Sequence, residues 1–583
     1  MLSRRSFVPV KSALCPTHVS TPTAASADAA TGATSSPVRA AANDDPRFVM
    51  SANGTGDQLQ SCHTLKGKEL PRTIKIRPQF VGMPFAIAFS TVLVVMSLLQ
   101  AARAQSGPLV FERKGRVVSL EPYAPNVLRV TMSLQKDSAM GPPGYGFAAK
   151  PSSNGWTHER SADGGEVLRS AEMVVNLSPG DLPSEKLPQT MPLDELNRHL
   201  RERFFGQGGG DNGRFSDAIL ITASSGKTLL RMRNWSMTPE RPEVARLDTG
   251  AKGYQVEATF DSPSDEHYYG LGQQQKGWMD LRDHRIHCWH EYGAIGGEDV
   301  CVPFMVSSLG YGIVWDNPSK TTVDLGFNDR NVWSSDVGDR VSFFVITGHT
   351  SDEIYQGYRL LTGVAHMLPK AAYGYIQSKA IYPTQQQILD VAKTYREKKL
   401  PLDVMVVDFL NMTKQGEMDL DPDRWPDPAA MNRELHSMGV GTLLSVWPHF
   451  SRGTQFYDML LNKGWLILNH EGKPDLGWAP ESIGPNLDST NAEAANWFWE
   501  KIRDRYIKPY GFDYLWLDET EPDVDPANDV FSIGSGIRFY NVYPLFHTSA
   551  VYEGFRRDFG DSRRLMILAR AAYLGAQRNG TVF

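Results

Sequence analysis

From about residue 370 onward the chain repeats one rhythm, and that rhythm limits its fold more than any other feature. A short run apolar on both faces gives way to a loop, then an amphipathic helix, then another such run. Y-G-Y-I-Q-S precedes a helix over Gln385 to Lys399, D-V-M-V-V-D-F precedes a helix near 428 to 438, and G-T-L-L-S-V-W-P follows. The helix Ala492 to Tyr506 then leads to F-D-Y-L-W-L-D, and a helix near 545 to 559 leads to L-M-I-L-A-R. Strands apolar on both faces, separated by helices, build a parallel sheet. Five strands and the start of a sixth in T-V-F are expected. A doubly wound sheet is one home for them, but polar residues at the strand C-terminal ends favour a (β/α)8 TIM-type barrel, whose chemistry gathers at that end.

Before residue 370 the pattern has period two. V-F-E-R-K-G-R-V-V-S-L, N-V-L-R-V-T-M-S-L, A-I-L-I-T-A-S, Y-Q-V-E-A-T-F, G-I-V-W-D and V-S-F-F-V-I-T alternate between turn residues, as in a β-sandwich. Residues 190–204 have helical spacing and lead into a Gly-rich loop. The expected domains are therefore a sandwich over 105–368 and a barrel over 369–583.

Residues 83–99 form an apolar run after Arg72, Lys75 and Arg77 and before Ala102-Arg103-Ala104. This reads as a secretory signal over 83–104, cleaved before Gln105, with a single membrane anchor as the competing reading. Export, secreted or periplasmic, is expected. The Ala-, Ser- and Pro-rich residues 1–82 carry no fold signal. Translation starting at Met83 or Met50 explains them better than a transit peptide does. Of four Cys, Cys288 and Cys301 lie in the expected mature chain, where a disulfide and two free thiols are equally open readings. A net charge of -6 over 583 residues, without a basic run, argues against a nucleic-acid partner. Nothing in the sequence fixes the oligomeric state.

Asp408, Trp447, Asp518 and Arg570 each close an apolar strand, so a barrel brings all four to one mouth. Singly, such residues are often helix caps or ion-pair partners. In W-L-D-E-T-E-P-D, Asp518 directly follows the strand and is held at the rim of the core, while Glu519, Glu521 and Asp523 continue the loop. A carboxylate fixed in a cleft of sugar size suits glycoside hydrolysis, where one carboxyl group attacks the anomeric carbon and another protonates the leaving oxygen.

W-L-D-E-T-E-P-D resembles the W-x-D-x-x-E-P nucleophile motif of glycoside hydrolase family 31, in the form of its α-xylosidase-like bacterial members. Y-Y-G-L-G-Q-Q-Q (268–275), V-P-F-M-V-S-S-L-G-Y-G-I-V-W-D-N (302–317), Y-G-Y-I-Q-S-K-A-I-Y (373–382), R-W-P-D-P (424–428) and Y-N-V-Y-P-L-F-H (540–547) extend the resemblance. It implies a retaining exo-α-glycosidase releasing terminal α-xylosyl or α-glucosyl units from oligosaccharides, with no metal or organic cofactor; after cleavage of the signal, no stable membrane association is expected. It makes Asp518 the nucleophile and Glu521 a supporting carboxylate. Asp408, Trp447 and Arg570 would bind the sugar, with Gln273 and Gln274 approaching from the sandwich. Where the family has a Trp-rich segment after the second barrel strand, this chain has D-F-L-N-M-T-K. In the family, a segment like A-Q-R-N-G-T-V-F runs into W-S-G-D, whose Asp is the general acid/base, so the chain ending at Phe583 is expected to be truncated and inactive as written. An α-glucan lyase and a catalytically dead sugar-binding fragment are the alternative readings.

Overall fold

The computed structural model describes residues 107–179 and 214–582, apart from 114, 216, 246–247, 249–252, 291–299, 478–479 and 523. Expectations for residues 1–104, the helix over 190–204 and Asp523 therefore lie outside the described residues.

The alternating segments form two antiparallel sheets. The first runs in the order Leu109–Arg113, Arg116–Ala124, Val127–Ser133, Val341–Thr347, Tyr311–Trp315, Phe304–Ser307 and Tyr268–Gly270. The second is built around the long Thr228–Pro239 and Tyr254–Asp261 strands. Alternation sends Leu128, Val130, Phe343 and Val345 from one sheet, and Trp235, Val256, Ala258 and Phe260 from the other, into a common buried core. Cys288 and Cys301 are joined by a disulfide, which settles the choice the sequence left open.

The helix Ser351–Thr362 closes the sandwich portion, and a six-stranded sheet begins at Ile376–Gln377. Its order is Ile376–Gln377, Val404–Val407, Gly441–Val446, Tyr514–Leu517, Ile567–Ala569 and Thr581–Val582, and every pair is parallel. Each strand pairs with the next in sequence and the order never reverses. A doubly wound sheet must reverse at its switch point, so this sheet is an arc of barrel. Among the described residues its first and last strands each have one unpaired side.

The helices start where their caps dictate. Thr384 accepts from Gln387 N, Asp427 from Ala430 N ahead of Pro428, and Asn491 from Glu493 N and Ala494 N. Each such cap stabilises by about 1 kcal/mol. The Ala492–Ile502 helix continues through a π-turn over Arg503–Ile507, consistent with the single helix expected to Tyr506. The strand pleat then sorts side chains. Met405, Val407, Leu444, Val446, Leu515 and Leu517 pack outward against helix residues such as Ile388, Leu435 and Phe498. Val404, Val406, Leu443, Trp516 and Leu568 pack on the other, interior face.

Candidate active site

Asp408, Trp447, Asp518 and Arg570 share the parity of that interior set, so the pleat aims all four into the barrel at its C-terminal end. Register places them side by side. Leu517 pairs with Ala569 and Val446 with Leu517, so the next residues, Trp447, Asp518 and Arg570, form one row across three strands.

Arg570 organises the row. Its Nε donates to Glu521 Oε1 at 2.7 Å and lies 3.4 Å from Asp518 Oδ1, while Nη2 donates to Glu519 Oε2. All three carboxyl groups are nearly buried, with side chains 5–9% exposed. Burial alone would lower the pKa of the guanidinium, but Glu521, Asp518 and Glu519 together hold it above its ordinary value. One cation facing three carboxylates leaves the pocket negative, an environment that favours positive charge developing on a bound molecule.

Burial pushes the Asp518 carboxyl up. The Arg570 charge, the Glu519 backbone N–H and the Trp447 and Trp516 side chains pull it back toward the anion. Asp408 is half-buried and also pushed up, chiefly by burial and then by the charge of Asp518, while its Oδ1 accepts from Phe409 N at 2.7 Å. Phe409 lies flat against Trp447, with ring centroids 5.2 Å apart and planes at 6°, so an aromatic wall stands beside the two aspartates. Glu519 and Leu410, in the loops after Asp518 and Asp408, have φ values of 55° and 58°. For non-glycine residues this left-handed backbone costs about 1–2 kcal/mol, the kind of local strain that collects at functional sites.

The sandwich supplies the opposite wall. Gln273 exchanges backbone hydrogen bonds with Val300, N to O at 2.8 Å and 3.0 Å. Gln273, Gln275, Val300, Trp516, Leu568, Ala569 and Arg570 line an open cavity of about 200 Å³. Gln274, named with Gln273 from the sequence, does not line it: its Nε2 turns back to Leu271 O at 3.3 Å. Gln275, in the turn that follows, lines it instead.

Two residues escaped the sequence reading. Glu519 shares Arg570 with Glu521, and nothing in an acidic loop marks which carboxylates turn inward. His449, two residues beyond Trp447, is completely buried, and its Nδ1 donates to Gly484 O at 2.7 Å. Its spacing from the strand end was the available signal, but a lone His among apolar residues is more often core.

Residues 365–583 match the glycosyl hydrolases family 31 TIM-barrel domain, and residues 117–324 match the glycosyl hydrolase 31 N-terminal galactose mutarotase-like domain. The chain belongs to glycosyl hydrolase family 31. Among relatives of this family 31 chain, the α-xylosidase of Saccharolobus solfataricus is 36% identical over 347 residues, covering 56% of this chain and 44% of the relative. α-Xylosidase A of Aspergillus niger is 24% identical over 418 residues, covering 67% of this chain and 55% of the relative. The chain thus spans about half the length of these curated relatives. A crystal structure of a family 31 α-xylosidase from a soil metagenome, complexed with xylose, superposes with a TM-score of 0.68 at 25% identity, covering 82% of this chain and 66% of that one.

Proposed function

We propose that this chain carries the nucleophile side of a retaining exo-α-glycosidase acting on terminal α-xylosyl, or α-glucosyl, units of oligosaccharides. The observation that carries the reading is the row of Trp447, Asp518 and Arg570, in which a buried aspartate is anchored by a guanidinium at the interior end of a parallel strand. Asp518 Oδ attacks the anomeric carbon, the bond to the leaving group breaks, and a glycosyl ester forms for water to resolve. Arg570 keeps Asp518 available as the anion and fixes its direction. Asp408 accepts from sugar hydroxyls, and Phe409 and Trp447 offer an apolar face to the ring. The flat Phe409 beside Asp408 narrows that rim, which suits a pentose lacking the exocyclic hydroxymethyl group.

Glu519 and Glu521 are committed to Arg570 and are poor proton donors, so the reading assigns this chain the glycosylation step with leaving groups that need no protonation. The general acid/base this reading needs is none of the three carboxyl groups held by Arg570. Export is part of the same proposal, and the Cys288–Cys301 disulfide supports an oxidising compartment.

The test is trapping with 5-fluoro-α-D-xylosyl fluoride. Fluoride leaves without an acid, and the ring fluorine slows hydrolysis of the ester. Intact mass and peptide mapping should show one adduct on Asp518 and none in Asp518→Ala. An unlabelled parent, or an adduct elsewhere, overturns the assignment. An unsaturated anhydro-sugar product from an activated glycoside would instead mark the lyase reading.

A further inference from the structure

His449 is a buried polar group near the nucleophile row for which the mechanism has no use, and its geometry is specific. It lies just past the Gly441–Val446 strand, its ring centroid 5.9 Å from that of Trp447. Its backbone bridges to Asn486, and Nδ1–H is taken by Gly484 O at 2.7 Å. A neutral imidazole has one proton, so with Nδ1 protonated Nε2 is a bare acceptor on the far side of Cε1 from Gly484. Nε2 is buried and has no hydrogen-bond partner among the described residues. The ring feels the positive charge of Arg570, which adds to burial in holding its pKa down to about 4, so it remains neutral at neutral pH.

Asn486, bridged to His449 through the backbone, has both side-chain polar atoms buried without partners among the described residues, and so do Ser445 at Oγ and Thr520 at Oγ1. Leaving such a group unsatisfied destabilises the fold. Such groups, donors and acceptors alike, are what hydroxyl groups would satisfy. An imidazolium at this place would repel Arg570 and compete with it for the carboxylates. The tautomer fixed by Gly484 provides an acceptor without adding charge.

We propose that His449 is a positioning residue of the nucleophile pocket, whose Nε2 accepts a hydrogen bond from a hydroxyl group, contributed by a buried water or by the bound sugar, and so holds the Trp447 side of the pocket in register with Arg570 and Asp518. The kinetic part of this proposal rests on the glycosidase reading; the tautomer does not.

Two measurements test it. Solid-state ¹⁵N spectra of the full chain, labelled at histidine and assigned by difference with His449→Gln, should show Nδ1 protonated and Nε2 bare and hydrogen-bonded at pH 7. Addition of xylose should move the Nε2 resonance if a sugar hydroxyl is the donor and leave it in place if the donor is water. A protonated Nε2 overturns the proposal whether or not the chain has glycosidase activity. In the trapping reaction, His449→Leu should label about tenfold more slowly than the parent, while His449→Gln, which keeps a neutral acceptor, stays within about threefold. A loss confined to the half-saturating concentration assigns the hydroxyl to the sugar, and one confined to the limiting rate assigns it to water. Equal labelling of His449→Leu and the parent, or equal loss in both variants, sinks the positioning role. An unlabelled parent removes the glycosidase reading and leaves the ¹⁵N result to decide the tautomer.

Discussion

Arg570 and Glu521 are joined by a 2.7 Å charge-assisted hydrogen bond, and the same guanidinium extends to Asp518 and Glu519. Its planar fork serves several carboxylates at once, whereas a lysine ammonium is a point charge on a flexible stem. Arg570→Lys should therefore slow trapping on Asp518 by about 10²-fold, the scale of losing one preorganised electrostatic contact. Its acid limb should also move to higher pH, because Asp518 loses part of the charge that opposes its burial. Labelling rates of both proteins from pH 4 to 8 check this.

Asp518 itself should be irreplaceable. Asp518→Ala removes the attacking atom and with it the covalent pathway. Asp523→Ala should keep most of the labelling rate. Burial raises the Asp518 pKa, so the parent's rate should begin to fall with decreasing pH while still above the ordinary aspartate value of 3.8.

Asp529 offers a stability test independent of catalysis. It begins the short Asp529–Phe531 strand, is fully buried, and is held up to about 10 by burial and then by Asp475 and Asp525. A carboxyl with a raised folded pKa is protonated in the native state while its unfolded counterpart ionises near pH 4, so native stability drains away between about pH 4 and 10. Asp529→Asn lacks this loss. Its melting temperature should exceed the parent's by an amount that grows from pH 5 to pH 9, as scanning calorimetry would show.

The disulfide should matter to both stability and the pocket. Cys288 and Cys301 are 13 residues apart, and closing so short a loop stabilises by roughly 3 kcal/mol. Val300, next to Cys301, holds Gln273 against the cavity beside Arg570. Cys301→Ser should lower the melting temperature and also weaken trapping, whereas a purely distant staple would change only the first.

Unpaired strand sides invite association. Beside the Ile376–Gln377 strand, Tyr373 and Tyr375 are 72% and 47% exposed, and Leu400 is 48% exposed. Residues 105–583 should elute as concentration-dependent oligomers in light scattering, and a clean monomer would show that these sides are otherwise protected.

The strand-end residues were legible in the sequence because each polar or aromatic side chain breaks an apolar run where a parallel strand gives way to its loop. Asp408, Trp447, Asp518 and Arg570 sit at the ends of runs long enough to show that break. The turning of Gln274 toward Leu271 was not legible because its neighbourhood has no such run: Gln273 is fixed there by backbone pairing with Val300, distant in sequence. The small sheet joining Leu468–Asn469 to Asp529–Phe531 was invisible for the same reason, since two- and three-residue strands carry no periodicity. His449 could not be separated from a core histidine without knowing that Gly484 O takes its Nδ1 proton.

The two halves of the molecule also differ in when they can form. Each parallel strand finds its partner in the unit made just before it, so the arc can grow in step with synthesis. The sandwich cannot. Val127–Ser133 pairs with Val341–Thr347, and Arg129 bonds Ser342 across 213 residues of chain. At ribosomal speeds that separation is roughly 10–40 s of waiting, during which the early strands have unpaired edges that chaperones or an export channel must shield.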